Sequence, residues 1–392
     1  MKQLTVKLSA ALLFALSFSS KVKSQDNNTI NVVTSAVPFL RISPDARAGG
    51  MGDIGVATTP DANAAFWNLA KAPFATSRTS VAATYTPWLK DLGLNDVYLA
   101  SLAGYHQLDE SQAISASIRY FSLGNIQFTD FAGNDLQSFR PREYSVDFGY
   151  SRKLSATLGA GIALRYINSN LAGGQAVNGV QYKSGKSVAA DLSIFHSGVD
   201  ETGQGLNWGV SLSNLGSKIS YTSDAQQKDY IPANLGLGVA YTWVFDETSK
   251  FTGGLDVNKL MVPTPPTITN DSTLSDYRDK SVISSWFVSF ADAGSFANEL
   301  KEYQVSFGGE YVYNDQFALR GGYFYENKQK GNRKYFTLGA GLKYNVFGLN
   351  FSYLVPSGNG VTRNPLSNTL RFSLVFDLDN NTNNNGAGTT AP

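Results

Sequence analysis

Leu158-Gly159-Ala160-Gly161-Ile162-Ala163-Leu164-Arg165-Tyr166 carries the most structural information of any stretch in this chain. Leu158, Ala160, Ile162, Leu164 and Tyr166 fall on one side of an extended backbone, and Gly159, Gly161, Ala163 and Arg165 on the other. The reason is that successive side chains of a strand point to opposite faces. A large apolar face opposite a small and polar one is what a strand needs to stand between lipid and a polar lumen. The same pattern sets Phe336, Leu338, Ala340, Leu342 and Tyr344 against Thr337, Gly339, Gly341 and Lys343. It recurs where Leu370, Phe372, Leu374 and Phe376 alternate with Arg371, Ser373 and Val375. Alternation alone would also suit a soluble sandwich. Strand number, strand length and loop asymmetry settle the matter.

Fourteen segments of about 9–13 residues read this way. They are Thr79–Pro87, Asp96–His106, Gln112–Phe121, Pro141–Ser151, Ala156–Asn168, Lys186–Gly198, Gly205–Asn214, Ala233–Phe245, Ser249–Lys259, Lys301–Tyr313, Gln316–Glu326, Arg333–Asn345, Phe347–Leu354 and Ser367–Leu378. The alternation is least regular in Asp96–His106, and Phe347–Leu354 is short. The connections switch between tight (Gln107–Ser111, Arg152–Ser155, Asp246–Thr248, Asn314-Asp315, Val346) and long (Ser122–Arg140, Ser169–Gly185, Leu215–Pro232, Leu260–Leu300, Val355–Leu366). An even set of strands with all long loops on one side predicts an all-β membrane protein, a 14-stranded antiparallel transmembrane β-barrel. The expected setting is the outer membrane of a Gram-negative bacterium, in contact with the lipid bilayer. By the usual topology the tight turns and both the N- and C-termini are periplasmic, and the long loops extracellular.

The chain start explains how such a barrel is exported. Residues 1–24 read as a signal peptide: Lys2 and Lys7 precede an 11-residue apolar core, Leu8 to Phe18, and Val22-Lys23-Ser24 offers a cleavage site before Gln25. That core is too short for a transmembrane helix, and no later run approaches 18 apolar residues. A helical membrane protein is excluded. With no Cys, stability has to come from packing and backbone pairing. Cleavage leaves 28 basic and 31 acidic residues, a balance that argues against nucleic acid as a partner. The 37 Gly, 20 Tyr and 24 Phe suit a crowded lumen and aromatic belts, and a mean hydropathy of −0.17 suits a half-polar barrel.

Residues 25–78 precede the barrel (79–378) and are not strand-like. Pro44 to Asp53 is turn-rich, and Asp61 to Asn68 reads as a short helix capped by Asp61. Such a segment suggests an N-terminal hatch, or plug. Residues 379–392 form a low-complexity tail rich in Asn, Thr and Gly, expected to be disordered. In the Leu260–Leu300 loop, Pro263-Thr264-Pro265-Pro266 should be stiff and extended. Trp286, Phe290, Ala293, Ala297 and Leu300 then recur at spacings of four and three, an amphipathic helical stripe. Gly294-Ser295 interrupts it, so one short extracellular helix or two would fit. The stripe could receive a partner or fold back as a lid over the barrel mouth.

No constellation for catalysis stands out, and the expectation is no enzyme, no metal and no cofactor. Ala48-Gly49-Gly50-Met51-Gly52 lacks both the preceding strand and the following GK[ST] of a phosphate loop. The glycines suit close backbone packing of the hatch on the barrel wall. His106 and His196 are the only histidines, without a ligand cluster or a nucleophile motif beside either. Arg119, Asp147, Arg165, Asp191, Glu310, Arg320, Lys343 and Arg371 fall mostly on the polar faces. They read either as a permeation path or as a salt-bridged lumen packed against the hatch, since Arg or Lys facing mid-membrane lipid costs about 2–4 kcal/mol.

Several motifs carry a resemblance. They are Ser43-Pro44-Asp45-Ala46-Arg47-Ala48-Gly49-Gly50-Met51-Gly52-Asp53 and Phe66-Trp67-Asn68-Leu69-Ala70, then Phe139-Arg140-Pro141-Arg142-Glu143-Tyr144 and Ser151-Arg152-Lys153-Leu154. Leu164-Arg165-Tyr166-Ile167, Ser213-Asn214-Leu215-Gly216, Val262-Pro263-Thr264-Pro265-Pro266 and Ser289-Phe290-Ala291-Asp292-Ala293 through Glu299-Leu300 continue the set. In these the chain resembles the PorV (LptO) family of the type IX secretion system, related to the FadL-like barrels. It departs at Leu69, where the family pattern has Pro, and at Gly294-Ser295-Phe296, where it has Pro-Gly-Gly-Phe. The resemblance implies a shuttle and receptor for secreted cargo proteins with C-terminal signal domains. Such a protein takes cargo from a giant outer-membrane translocon barrel to a cell-surface attachment complex containing a sortase. Candidate hatch residues are Arg47, Gly49, Gly50, Gly52, Asp53, Trp67 and Asn68, and candidate partner-binding residues are Trp286, Phe287, Phe290, Phe296, Pro265 and Pro266. The rival reading is a FadL-like transporter of hydrophobic small molecules; a passive structural barrel is a third.

Overall fold

The computed structural model describes residues 31–90, 93–129, 133–174, 176–177, 180–223, 228–266, 270–356 and 369–380. The signal peptide, nearly all of the C-terminal tail and most of the Val355–Leu366 loop lie outside these residues. Fourteen strands form one closed antiparallel barrel. In chain order they are β1 Ser77–Pro87, β2 Val97–Gln107, β3 Gln112–Leu123, β4 Arg142–Lys153, β5 Leu158–Asn170, β6 Gly185–Val199 and β7 Gly205–Gly216. The second half comprises β8 Asn234–Val244, β9 Ser249–Leu260, β10 Tyr303–Tyr313, β11 Phe317–Tyr325, β12 Lys334–Tyr344, β13 Phe347–Pro356 and β14 Leu370–Asn380. Each strand pairs with its sequence neighbours, and β14 returns to β1 with Thr79 opposite Leu378 and Tyr85 opposite Phe372. Closure leaves no free sheet edge in the barrel wall. All fourteen expected strands are present, with ends shifted by a few residues.

The alternation now has a physical sense. In β5, Leu164 is 66% exposed while its neighbour Arg165 is 4% exposed. Phe148, Val188, Leu319, Leu338 and Leu349 also point out of the barrel, while Ser145, Asp191, Ser193, Glu310 and Arg320 are buried on the inward face. Aromatic pairs band the wall near the tight turns: Trp243 with Tyr241 and Phe251, His196 stacked on Trp208, and Phe347 against Phe376. This is the belt that amphipathic rings form at a lipid–water interface. Among the described residues no helix is long and apolar enough to cross a membrane.

The hydrogen-bond ladder is continuous except at one register shift between β6 and β7, at Ala190 and Leu192. The extra residue is accommodated at Asn214, whose φ of +58° lies in the left-handed region that Asn tolerates better than most residues.

Residues 31–36 lie at the long-loop rim, and residues 37–76 run inside the ring. They contain a 3-10 turn at Pro38–Arg41, helix α1 (Ala46–Gly50), helix α2 (Ala64–Trp67) and a second 3-10 turn at Leu69–Phe74. Helix α2 starts after Asn63; Asp61 caps nothing on it through its side chain, and instead accepts from the Asn63 N–H and from Arg47. The Leu260–Leu300 loop holds three helices, α3 (Asp271–Asp279), α4 (Val282–Val288) and α5 (Phe296–Leu300).

Asn380 ends β14 at the tight-turn end, whereas Asn31 lies at the opposite, long-loop end, bonded to Gln329 and Pro265; the expected N-terminus itself lies outside the described residues. The start of the described chain and its end stand on opposite sides of the barrel.

Candidate functional site

The lumen is built by inward side chains meeting the N-terminal segment. Asp45 caps α1 by accepting from the Ala48 N–H at 2.8 Å, and its second oxygen accepts from Trp67 Nε1 at 2.8 Å. That carboxylate therefore ties the two halves of the segment together. Arg47 donates to Glu310 at 2.8 Å and to Asp61 at 2.8 Å, and Glu310 also accepts from Arg320 at 2.6 Å. Asp53 accepts from the Tyr335 hydroxyl at 2.6 Å and lies 3.6 Å from the buried Arg371 guanidinium. Asn68 donates to the carbonyls of Val56 and Ile194, so one amide bridges the segment and β6.

The glycines act by close approach. A side chain at Gly49 would meet Arg371 at 2.5 Å, one at Gly50 would meet the Gly339 backbone at 3.0 Å, and Gly52 combines a φ of +72° with the Phe307 carbonyl at 2.7 Å. The structure thus places all seven candidate hatch residues inside the barrel, Gly49, Gly50, Gly52 and Asn68 buried and Arg47, Asp53 and Trp67 half-buried.

The sequence-predicted lumen charges converge as well. Arg165 pairs with Asp147 and, at 2.8 Å, with Asp191; Asn214 Oδ1 accepts from Arg165, and its N–H donates to Asp191 at 2.7 Å. The bulge at Asn214 is held by this network. Arg119 joins at 3.7 Å from Asp147 and donates to the Leu40 carbonyl. Lys343 is the partial exception, half-buried and paired with Asp377 at 2.6 Å near the tight-turn end. A cavity of about 610 Å³ remains at that end, lined by Arg47, Glu310, Arg320, Lys343 and Asp377 among others. Toward the long loops the lumen is apolar instead, with Val37, Phe39 and Leu40 packed among Leu99, Phe121, Ile167, Phe324 and Leu354.

Lys71 was not foreseen. It is fully buried, with Nζ donating to the Gly55 carbonyl at 2.6 Å and to Thr58 Oγ1 at 3.3 Å. Burial pushes its ammonium down to about 8, against the pull of Asp61.

The long-loop face is organised differently. Lys259, completely buried at the end of β9, donates to Glu302 at 2.6 Å and lies 2.8 Å from Glu299 of α5. Glu302 also accepts from Lys330 at 2.7 Å and Thr264 at 2.8 Å, and Asp292 accepts from the Thr264 N–H at 2.9 Å. Asp292, Glu299 and Glu302 are close enough to share a cation. Lys259 and Lys330 already supply positive charge there, so the cluster reads as a clamp rather than a metal site. Burial works to raise the Glu302 carboxyl, yet hydrogen bonds from Lys259, Lys330 and Thr264 hold it below its ordinary value.

Helix α4 rests on the rim through Ser285, which donates to the Tyr230 hydroxyl at 3.0 Å, and through buried Ser289. The anticipated single stripe does not form: Ala297 and Leu300 are exposed, Trp286 and Phe290 are half-buried, and two serines make the inner face of α4. Close packing on the rim favours small residues there, which a search for large apolar residues overlooks. Pro265 and Pro266 are half-buried, while Phe287 is 73% and Phe296 79% exposed. Helix α3 was missed altogether, although Asn270 and Thr273 form a reciprocal capping box that marks its start. The two histidines stay apart from any such cluster, His106 bonded to Thr79 and His196 stacked on Trp208.

Comparison with known proteins fits this geometry. The Ralstonia pickettii toluene transporter TbuX is similar at 13% identity, over 86% of this chain and 97% of that one, with a TM-score of 0.50. The Pseudomonas putida toluene transporter TodX is similar at 13% identity, over 88% of this chain and 98% of that one, also with a TM-score of 0.50. At such identity the likeness concerns the fold alone. No curated protein matches the sequence. The sequence profile of the family described as "Type IX secretion system protein PorV" matches residues 23–267. With well over half the chain matched, and a closed 14-stranded barrel to carry it, the chain belongs to the PorV family of type IX secretion system outer-membrane proteins.

Proposed function

We propose that the protein is a non-enzymatic shuttle and receptor, which docks secreted cargo through the C-terminal signal domain and passes it from the translocon barrel to a surface attachment complex. The observation that carries this reading is the contrast between a lumen filled by an ion-paired segment and a long-loop face that exposes Phe287 and Phe296. Residues 37–76 act as a fixed hatch in this account, and the exposed rings of α4 and α5 as part of the receiving surface. The long loops, on the usual barrel topology, face the cell exterior. No energy source is needed for docking itself; direction comes from the other components.

Two features weigh against a transporter of hydrophobic molecules. The apolar part of the lumen is taken up by Val37, Phe39 and Leu40, and every neighbouring strand pair remains hydrogen-bonded, with a single register shift. A mild-detergent pull-down of a tagged copy from native outer membranes, read by mass spectrometry for proteins and lipids, tests the choice. Recovery of a translocon barrel or of cargo with C-terminal signal domains supports the shuttle. Recovery of the barrel alone with a stoichiometric fatty acid refutes it.

A further inference from the structure

The N-terminal segment is fixed to the long-loop end at three points. The Asn31 N–H donates to the Gln329 carbonyl at 3.1 Å, its side-chain amide donates to the Pro265 carbonyl at 3.1 Å, and the Ala36 N–H donates to the Tyr230 carbonyl at 2.8 Å. Gln329 follows β11, Pro265 follows β9 and Tyr230 precedes β8, so all three acceptors belong to connections on the long-loop side. From there the chain passes through the lumen to the other end, turning back toward the long loops once, where Asp53 meets Tyr335. Arg41 reaches Gln304 at the long-loop end of β10, Gly55 and Val56 bond Asp256 within β9, and the carbonyls of Ala72 and Ala75 accept from Gln107 at the tight-turn end of β2. At Ser77 the chain enters β1 opposite Asn380.

We infer that residues 31–36 stand on the long-loop face as an arm accessible from that side, and that they form part of the surface offered to a polypeptide partner. Thr34 is exposed, and the residues around it are half-buried rather than enclosed. The arm shares its supports with the helical loop. Pro265 leads toward that loop, and Tyr230, which holds Ala36, accepts through its hydroxyl from Ser285 of α4. A protein that contacts Phe287 thus meets a patch whose footing includes the arm. The part of the inference concerning a partner rests on the receptor reading given above; the placement of the arm does not.

The chain has no Cys, so single cysteines report position without background. Thr34→Cys, Ser284→Cys in α4 and Glu247→Cys in the tight turn between β8 and β9 are all at exposed positions. Each is labelled with a membrane-impermeant maleimide in intact cells, and again after the outer membrane is permeabilised. Ser35→Cys repeats the reading should Thr34→Cys fold poorly. The expected result is that Thr34→Cys and Ser284→Cys react equally in intact cells, and Glu247→Cys at least tenfold more after permeabilisation. Reaction of Thr34→Cys in step with Glu247→Cys, or in neither condition while Ser284→Cys reacts, overturns the placement. If Ser284→Cys itself needs permeabilisation, the orientation in the receptor reading fails, while agreement between Thr34→Cys and Ser284→Cys still upholds the arm. A photo-crosslinker on Thr34→Cys should then capture a secreted protein with a C-terminal signal domain. Capture from Ser284→Cys but none from Thr34→Cys removes the arm from the partner surface.

Discussion

Arginine, lysine and phenylalanine do opposite work in the lumen and on the long-loop face. In the lumen, Arg165 sits between two carboxylates and Phe39 stacks on Phe121, all out of water. On the long-loop face, Lys259 clamps a loop from below so that Phe287 and Phe296 can stay exposed above. Inside, paired charge and packed rings make a rigid body. Outside, the same chemistry holds an adhesive surface in place without covering it.

The harshest way to break this contrast is Arg165→Ala. It leaves Asp147 and Asp191 buried with no counter-charge from that position, and should cost about 3–5 kcal/mol. The denaturation midpoint of the barrel in urea should fall accordingly; a loss below about 1 kcal/mol would mean that the lumen network does not hold the body rigid. The converse test changes Phe287 and Phe296 together to Ser. Capture of cargo should weaken at least tenfold, about 1.4 kcal/mol, while barrel stability stays within about 0.5 kcal/mol. Equal capture would sink the receiving surface, and a large stability loss would mean the rings pack rather than present.

Lys259→Met joins the two regions. The clamp should open and proteolysis between Met261 and Glu302 should rise several-fold, with the barrel transition unchanged. Acid should mimic it. Because the folded Glu302 carboxyl is held below its ordinary value, its contribution is present above the unfolded value and is lost as pH falls through the folded one. A loop equally protected at low and neutral pH would place the anchoring elsewhere.

The smallest effect is a slope. The Lys71 ammonium is lowered in the fold from 10.5 to about 8, so the folded protein binds that proton less tightly than the unfolded chain. The cost of burying it is full below about 8 and is relieved as pH rises toward 10.5. Stability should therefore climb across that window in the parent protein and stay flat in Lys71→Met; identical pH profiles would show that Lys71 contributes nothing to the slope.

The strands were legible because alternation is a local property, readable in nine residues such as Leu158 to Tyr166. The glycine cluster at Ala48 to Gly52 was legible for the same reason, since close backbone approach demands glycine wherever it occurs. The ion pairs were legible only as a set of inward charges. That Arg165 meets Asp147, Asp191 and Asn214 depends on the register of β4 to β7, which no single strand specifies. Ser213-Asn214-Leu215-Gly216 stood out as a motif, but its reason is the bulge. The side on which Asn31 lies depends on hydrogen bonds to loop carbonyls, and no residue type announces those.

The course of the N-terminal segment also constrains how the molecule is made. Its covalent end at Ser77 belongs to one rim and Asn31 is tied at the other, with hydrogen bonds to β2, β3, β6, β9, β10, β12 and β14 between. A finished cylinder offers no easy route for such a chain to be pulled in afterwards. The wall is therefore expected to close around it, at a seam that joins β1 to β14, the first and last strands of the barrel. Pairings that distant form slowly. The segment is therefore expected to serve assembly first, as the core on which the sheet is rolled, and the bond from the Ala46 N–H to Ser373 of β14 ties that core to the closing strand.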